Sequence, residues 1–598
     1  MGGFRRGHIG KAEKPKDFGS AMKKLAVYVS AHKWIIFLVL LMAMASTVLG
    51  VLIPRLLGTV TDEIFAGFGT AAGINFQAIG IIMIQLIIIA GLSVGLSFLQ
   101  NFVMASVGMR IMHRLRNELS EKVHRLPLHY FDKNPPGDVL SRISNDTDTL
   151  SNTLNQGLTQ FATSITAVIG IVVMMLIISP LLTLITLLTL PITLLAITFI
   201  IKKSQKYFAA QAAVLGKLNG HIEEMLSNHT VVKSFNGEKL SIDAFDKHNS
   251  ELYTANWKAS FLSGLMIPIT IFITNLGFVA IVIIGGAMAL AGNMTVGGIQ
   301  AFIQYNRQFG QPLNQLASVA STLQQTAAAA ERVFAFLEED EEVAEHTDPA
   351  STQNISGQVV FDGVTFGYNP EIPVIHNFNA AIEPGQKIAI VGQTGAGKTT
   401  IVKLLMRFYD VDKGGISVDG SDIRLYSRNG LRSLIGMVLQ DTWLFNGTIA
   451  DNIRYGNLNA SDEEVRKAAK AAQADHFIRA LPEGYDMTIN EEADNISAGQ
   501  KQLLTIARSI LSDPQILILD EATSNVDTRT EVLIQKAMDN LMEGRTCFII
   551  AHRLSTIRNA DLILVMENGD IVEQGSHEKL LAKGGVYTKL YNSQFDVA

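Results

Sequence analysis

Long apolar runs, interrupted by few charged residues, fill the first half of the chain. A helix needs roughly 20 mostly apolar residues to cross a bilayer, and six runs reach about that length. They cover residues 34–54, 78–109, 161–179, 181–201, 261–290 and 296–319. The sixth is the weakest because it contains Gln300, Gln304, Arg307, Gln308 and Gln311. Any single run could be a buried core helix, but several in one half of a chain predict a membrane domain.

The positions between these runs orient the predicted membrane domain. Pro180 alone separates the third run from the fourth, and residues 291–295 between the fifth and sixth carry no charge. Basic residues gather instead after the second and fourth runs, at Arg110, Arg114, Arg116, Lys122, Arg125, Lys202, Lys203 and Lys206. Because basic loops stay on the cytoplasmic side, the N-terminus and these connections are predicted to be cytoplasmic. Residues 110–125 and 202–215 contain neither Pro nor Gly, which predicts helices that extend past the bilayer.

The hydropathy pattern changes near residue 336. Residues 337–354 are acidic and then turn-rich, which is typical of a linker. Residues 355–598 alternate short β-rich runs with helical patterns, which indicates an α/β domain. The expected organisation is a transmembrane domain at 1–336, the linker, and the α/β domain. A net charge of −6 gives no indication of a nucleic-acid partner, and residues 1–33 lack a signal-peptide pattern.

The strongest chemical signal is a glycine-rich loop between a predicted strand at 387–391 and an amphipathic helix. It fits the pattern G-x-x-x-x-G-K-[ST], in which backbone N–H groups surround phosphates, the Lys reaches the β- and γ-phosphate oxygens, and the hydroxyl binds Mg²⁺. The predicted ATP-binding residues are Gly392, Gln393, Thr394, Gly395, Ala396, Gly397, Lys398, Thr399 and Thr400.

Two adjacent acids follow a second buried strand, predicted at 516–519. Asp520 is expected to hold Mg²⁺ through water, and Glu521 to activate the attacking water. A strand that ends in a solvated turn would look the same in isolation. The phosphate loop elsewhere in the domain favours the metal site.

Together with the sequence NISAGQKQ at 495–502, these motifs resemble the nucleotide-binding domain of an ABC transporter. The membrane half preceding the ATPase half on one chain is similar to ABC exporters of the multidrug and lipid-flipping kind. The resemblance implies an all-α domain of six transmembrane helices with long cytoplasmic extensions, followed by an α/β P-loop ATPase domain. It also implies two coupling segments that dock on ATPase domains, one at 130–142 and one around 221–230.

The resemblance assigns further roles to single residues. Tyr368 matches the aromatic residue that stacks on adenine, and Gln440 the glutamine that senses Mg²⁺. Asp527 matches the acid that reaches the partner subunit, and His552 the histidine that contacts the γ-phosphate and assists catalysis by Glu521. An ordinary tyrosine at a strand end and a structural histidine after an apolar strand are the alternatives for Tyr368 and His552.

The stretch at 495–502 departs from the family pattern LSGGQ. Ser497, Gly499 and Gln500 match, whereas Ala498 replaces the first Gly. Ile496 stands for Leu, Lys501 stands for the usual Arg, and the preceding loop keeps only Glu491 of V-G-E-x-G. The same residues also fit a plain capping box, with Ser497 as N-cap and Gln500 three residues on. In the family this element contacts ATP held by the other subunit, so the surface offered to a partner's ATP is altered.

The expected function is ATP-driven export of amphipathic or hydrophobic compounds, of the multidrug type, across the inner (cytoplasmic) membrane. The ATPase domain and the N-terminus are expected in the cytoplasm, with ATP and Mg²⁺ as cofactors. The expected partners are a second ABC half-transporter, a lipophilic small molecule and membrane lipid, without nucleic acid. The one-sided change at Ala498 favours a heterodimer. A homodimeric lipid flippase of the same fold is the alternative, and a gated channel or non-transporting regulator is a further one.

Overall fold

The computed structural model describes residues 17–68, 73–369, 371–439, 442–490, 495–520, 527–551 and 554–595. It divides into two compact units, each described separately below. The first comprises Met1–Val123 with Gly137–Glu339, and the second comprises His124–Pro136 with Asp340–Ala598.

Long helices make up the first unit. The α-helices that precede the linker are α1 (Phe18–Val29), α2 (Lys33–Gly67), α3 (Phe76–Arg125), α4 (Leu128–Lys133), α5 (Pro136–Ser141), α6 (Thr147–Asn152), α7 (Leu158–Ile178), α8 (Pro180–Ser227), α9 (His229–Ser234), α10 (Glu238–Gly264), α11 (Met266–Leu290) and α12 (Val296–Glu338). Helix α4 belongs to the second unit. Two π-helical turns, Arg142–Asp146 and Thr153–Gly157, join α5 to α6 and α6 to α7.

Five helical stretches among the described residues are long and apolar enough to cross a membrane. They are Phe18–Gly67, Phe76–Arg125, Pro136–Ile178, Pro180–Ser227 and Glu238–Leu290. Each corresponds to one of the first five predicted spans. The sixth predicted span lies in α12, a 43-residue helix whose Gln and Arg side chains lower its hydropathy.

Several helices run beyond the limits that the apolar runs suggest. Helix α3 has 50 residues and α8 has 48, which correspond to about 75 Å and 72 Å at 1.5 Å per residue. Since the hydrocarbon core is about 30 Å thick, both helices extend well past it. The first run ends at Pro54 in the hydropathy pattern, yet α2 continues through this residue to Gly67. A proline is tolerated inside a membrane helix because neighbouring groups satisfy the freed carbonyl.

Helix α12 packs against α2 and α7 at the centre of the helical unit. Gly58 and Gly297 let α2 and α12 approach closely, since a Cβ on Gly297 would collide with the Gly58 carbonyl oxygen. The Tyr305 hydroxyl donates to the Val51 carbonyl at 2.7 Å. Where α12 passes the π-helical turn, Arg332 donates two hydrogen bonds, of 2.9 and 2.5 Å, to the buried Asp146 carboxylate. Loss of Arg332 would therefore leave a buried charge uncompensated.

The second unit is built around two larger sheets. Its strands are β1 (Val359–Phe366), β2 (Ile375–Ile382), β3 (Lys387–Gly392), β4 (Lys413–Val418), β5 (Ser421–Asp422), β6 (Ile435–Val438), β7 (Gly447–Thr448), β8 (Thr488–Ile489), β9 (Ile516–Asp520), β10 (Thr546–Ile550), β11 (Leu562–Glu567) and β12 (Asp570–Gly575). One sheet has the order β12-β11-β3-β10-β9-β6 and the other β2-β1-β4-β5. The six-stranded sheet is parallel except at β12, and the four-stranded sheet is antiparallel.

Ten α-helices follow the linker in the described part of the second unit. They are α13 (Lys398–Leu405), α14 (Arg428–Ser433), α15 (Ile449–Arg454), α16 (Asp462–Ala471), α17 (Asp475–Ala480), α18 (Ala498–Ser512), α19 (Thr528–Met542), α20 (Leu554–Arg558), α21 (His577–Lys583) and α22 (Val586–Phe595). The strands β3, β9 and β10 are buried along almost their whole length, as expected for parallel strands covered on both faces. The predicted α/β class is confirmed.

Candidate nucleotide-binding site

The glycine-rich loop connects the buried strand β3 to α13. Gly395 and Gly397 have φ angles of 87° and 98°, which residues with a Cβ rarely adopt. Space is restricted as well, because a Cβ on Gly397 would lie 2.7 Å from Ile375 Cδ1. The loop backbone is therefore tightly curved, and it carries no side chain at Gly395 and Gly397. It is suited to a close approach by a ligand.

The N-terminus of α13 completes the loop. The first N–H groups of a helix have no partner within it, and the helix dipole favours an anion there. Lys398, the first residue of α13, folds back so that Nζ donates to the carbonyls of Gly392 at 2.8 Å and Gln393 at 3.0 Å. Burial lowers the pKa of Lys398, and the negative charge of Asp520 opposes that change. The geometry fits a polyphosphate, with Lys398 over the loop and the exposed Thr399 beside it.

Asp520 lies at the same edge of the parallel sheet as the loop. Strand β10 separates β3 from β9, and its Ile550 pairs with both Ile390 and Asp520. The three residues are level across the sheet, so the carboxyl ends of β3 and β9 point in one direction. The carboxylate of Asp520 acts on the ammonium of Lys398 and favours its charged form, which raises its pKa. Ligand sites of parallel α/β sheets lie at this edge.

Tyr368 stands beside α13 in an aromatic cluster. Its hydroxyl is 3.3 Å from Thr400 Oγ1. Its ring lies edge-on to Phe366 and to Tyr409, with centroids 5.2 Å apart in each case. The side chain is 37% exposed, so part of the ring is open to a planar ligand. The expectation that it stacks on adenine stays a prediction, now with a defined ring position next to the phosphate loop.

Asp132 contacts Lys403 and Tyr409 beside this cluster, and the sequence pattern did not predict that these three residues meet. Asp132, in α4, accepts hydrogen bonds from the Tyr409 hydroxyl and from Lys403 Nζ, the latter at 3.3 Å. Lys403 Nζ also lies 5.5 Å from the Tyr368 ring centroid. Burial raises the pKa of the Asp132 carboxyl, but the hydrogen bonds from Tyr409 and Lys403 outweigh it and leave the pKa below its usual value. No local signal links Asp132 to Lys403, which are 271 positions apart.

The stretch at 495–502 forms the capping box that its sequence permits. Ser497 Oγ accepts from the Gln500 N–H at 3.3 Å, and Gln500 Oε1 accepts from the Ser497 N–H at 2.9 Å. Ile496 is only 6% exposed and belongs to the core, so the change from Leu keeps an apolar contact. Ala498 begins α18 and is exposed, as is Ser497. The predicted capping box is therefore present, the role of the motif toward a partner's ATP stays a prediction, and both exposed residues are accessible to a partner.

The other residues with single predicted roles are Asp527, Gln440, Glu521 and His552. Asp527 is described: it caps α19 by accepting from the Thr530 N–H at 2.9 Å, and this hydrogen bond lowers its pKa. Gln440, Glu521 and His552 lie outside the described residues.

Comparison with known proteins matches both halves of the chain. Residues 36–313 match the ABC transporter transmembrane region and residues 375–524 match the ABC transporter family. A fatty acid ABC transporter ATP-binding/permease protein of Mycobacterium tuberculosis is 44% identical over 612 residues, covering 96% of this chain and 97% of its own. The chain belongs to the ABC transporter family. It is an ATP-hydrolysing transporter in which the membrane and ATPase domains are fused, and such half-transporters pair as dimers.

Two further relatives of the transporter are named for different cargoes. An ATP-dependent lipid A-core flippase of Syntrophus aciditrophicus is 37% identical over 521 residues, covering 87% of this chain and 86% of its own. A Bacillus subtilis protein whose name assigns it provisionally to multidrug export is 33% identical over 579 residues, covering 96% and 99%. The names of these three relatives therefore refer to fatty acids, to lipid A-core and to multidrug export.

Proposed function

We propose that this chain is one half of an exporter that uses ATP to move amphipathic or hydrophobic compounds across the cytoplasmic membrane. The observation that carries the proposal is the meeting of the glycine-rich loop and Asp520 at one sheet edge, on a chain that also has membrane helices. The ATPase domain and N-terminus are assigned to the cytoplasm, because the basic connections favour that side.

In this proposal the described residues bind and orient the nucleotide. Tyr368 stacks on the base, while Lys398 and the loop N–H groups bind the phosphates. Lys398 would exchange its present carbonyl acceptors, Gly392 and Gln393, for phosphate oxygens of opposite charge. Thr399, Asp520 and Gln440 would hold Mg²⁺, which supplies positive charge to the transferring phosphoryl group.

The remaining catalytic roles are assigned from the family pattern. Glu521 directly follows the end of β9 and would accept a proton from the attacking water. His552 would contact the γ-phosphate. On closure of the dimer, Ser497 and Gly499 would contact ATP bound by the partner, and Asp527 would cross the same interface.

Two classes of cargo follow from the relatives. A lipophilic drug fits the multidrug type, and a lipid or fatty acid fits the flippase type. The 44% identity to a relative named for fatty acids, against 33% for one named for multidrug export, makes a long-chain fatty acid the first compound to test.

The test is transport into proteoliposomes that contain the purified transporter, with its partner subunit where one is required. ATP supplied to outward-facing ATPase domains should drive accumulation of either a labelled long-chain fatty acid or a lipophilic cationic dye. The matched control is the Lys398→Ala transporter. If neither compound accumulates above that control, export of such compounds is wrong; accumulation of the dye alone favours the multidrug type.

A further inference from the structure

An apolar groove lies between the first two helices of the membrane unit and the beginning of α7. Its volume is about 360 Å³, and its walls include Leu25 on α1, Phe37 and Leu40 on α2, and Leu158 on α7. Ser30 and Lys33 are the only polar residues among the described residues that line it. For comparison, an apolar cavity of about 150 Å³ accommodates benzene. The groove therefore has room for a larger hydrocarbon group.

The groove runs along α2 from its first residue, Lys33, into the first apolar run. Lys33 is the first residue of α2, and the residues after it begin the first apolar run. Trp34 is 76% exposed, and tryptophan side chains favour the level of the lipid headgroups. Leu40 lies seven residues after Lys33 in α2, which is about 10 Å further along the helix at 1.5 Å per residue. A cation at the surface and an apolar floor below it match the two ends of a lipid.

The charge at the mouth of the groove is not compensated within the part of the chain that the structure describes. Lys24, on the neighbouring helix, pairs with Glu338 at 2.6 Å. Lys33 has no carboxylate within ion-pair distance among those described residues. Lys33 lies within the helical stretch Phe18–Gly67, where a three-residue 3₁₀ turn joins α1 to α2. With no carboxylate partner among the described residues, its ammonium is available to an anion at the mouth of the groove.

The groove is preformed because α1 is held on its other side. Tyr28 donates to Glu118 Oε2 of α3 at 3.1 Å, and its ring lies edge-on to Phe334 of α12, with centroids 6.1 Å apart. These contacts, with the Lys24–Glu338 pair, fix α1 to two long helices. The wall formed by Leu25 and Val29 therefore does not depend on a ligand for its position.

We propose that this groove binds one acyl chain of an anionic phospholipid, with the headgroup phosphate at Lys33. The lipid comes from the membrane leaflet in which α2 begins. Basic residues beside membrane helices commonly hold anionic headgroups. The site is separate from the nucleotide-binding site, and its existence does not depend on which compound is exported.

Photo-crosslinking in nanodiscs tests this proposal. The full-length transporter is labelled with photoactivatable phosphatidylglycerol or with phosphatidylcholine of the same acyl chains, and the labelled peptides are identified by mass spectrometry. The anionic probe should label residues 22–40 about five-fold more than the zwitterionic probe, the ratio that about 1 kcal/mol per basic residue gives. Lys33→Gln should remove this preference. The matched control is Lys23→Gln, on exposed α1 surface outside the groove lining, which should retain it.

A second pair of variants tests the apolar part of the groove. Ala26 lines the groove, whereas the adjacent Val27 does not. Ala26→Phe should reduce labelling by both probes, and Val27→Phe should leave it unchanged. Equal labelling by the two probes, or equal losses in Lys33→Gln and Lys23→Gln, would overturn the proposal in favour of nonspecific lipid contact. Crosslinks from residues 22–40 to another copy of the chain would overturn it in favour of a protein contact.

Discussion

Two hydrogen bonds hold the Lys398 side chain over the glycine-rich loop. Its two acceptors are backbone carbonyls, at 2.8 and 3.0 Å, so the side chain is already bent toward the loop. Burial lowers its pKa while Asp520 favours the charged form. A polyphosphate would favour the charged form further, because it brings negative charge to a partly buried ammonium. The lysine is therefore positioned for binding at little additional cost in side-chain order.

The first prediction concerns this lysine. Lys398→Ala removes the ammonium that the phosphates would meet, so ATP affinity should fall by about ten-fold or more, since charge-assisted hydrogen bonds contribute roughly 1.5–3 kcal/mol. Nucleotide titration of the purified transporter measures it. The control is Lys387→Ala, a partly buried lysine at the opposite end of β3. Unchanged affinity in Lys398→Ala would contradict the role assigned to the loop.

The second prediction concerns Glu521. Glu521→Gln keeps the size of the side chain but removes the base, so ATP should still bind while steady-state ATPase activity falls by about 10²-fold or more. Measuring binding and turnover on the same preparation separates this variant from Lys398→Ala. Near-normal turnover would show that another group accepts the proton.

At the scale of elements, α4 joins the aromatic cluster of the nucleotide site. Asp132 of α4 contacts Lys403 of α13 and Tyr409, and Lys403 and Tyr409 both border Tyr368. The helix therefore contacts the residues behind the proposed adenine-stacking ring. Since α4 belongs to the predicted first coupling segment, we expect Lys403 and Tyr409 to connect the proposed base site to that segment.

The third prediction tests this connection. Asp132→Asn weakens a half-exposed ion pair and a hydrogen bond, for which about 1 kcal/mol is expected, so transport per ATP hydrolysed should fall by about two- to five-fold with ATP affinity unchanged. The ratio of transport to ATPase rate is the measurement. Asp246→Asn, an exposed acid in α10 outside both predicted coupling segments, serves as the control. Equal ratios in Asp132→Asn and the unmodified transporter would rule out a coupling role for the pair.

Whether the sequence predicted a feature depends on how far apart along the chain its interacting residues are. The loop at Gly392 and the acid at Asp520 were predictable because each depends on a strand and the few residues after it. The capping box at Ser497 was predictable for the same reason. The continuation of α2 through Pro54 was not, since the cost of a helix proline depends on its surroundings. The contact of Asp132 with Lys403 was not either, because it depends on the fold of the second unit.

At the scale of the whole molecule, the chain has one glycine-rich loop and one stretch resembling a signature motif. In the family these two elements contact different ATP molecules, so one chain cannot complete either site. The structure explains part of the departure at 495–502. The Ile496 substitution is absorbed in the core, and the capping box is intact. Among the described departures, Ala498 is exposed and Lys501 is partly exposed, so changes at these two positions reach the surface.

The fourth prediction follows from that asymmetry: this chain pairs with a different half-transporter. In a homodimer both ATP sites would include Ala498. In a heterodimer the altered surface affects one ATP site only. The other ATP site combines the loop of Lys398 with an intact signature motif from the partner. Expressed alone, the chain should show little ATPase activity, and co-expression with a second half-transporter should restore it.

In the restored complex, Ser497→Ala should reduce turnover far less than Glu521→Gln, because Ser497 serves the slower site. Ala498→Gly restores the residue of the family pattern and so controls for the substitution itself. It should raise ATPase activity only modestly. A stable homodimer with brisk ATPase activity and transport would instead establish that Ala498 is compatible with two working sites, and the homodimeric flippase would be the correct description.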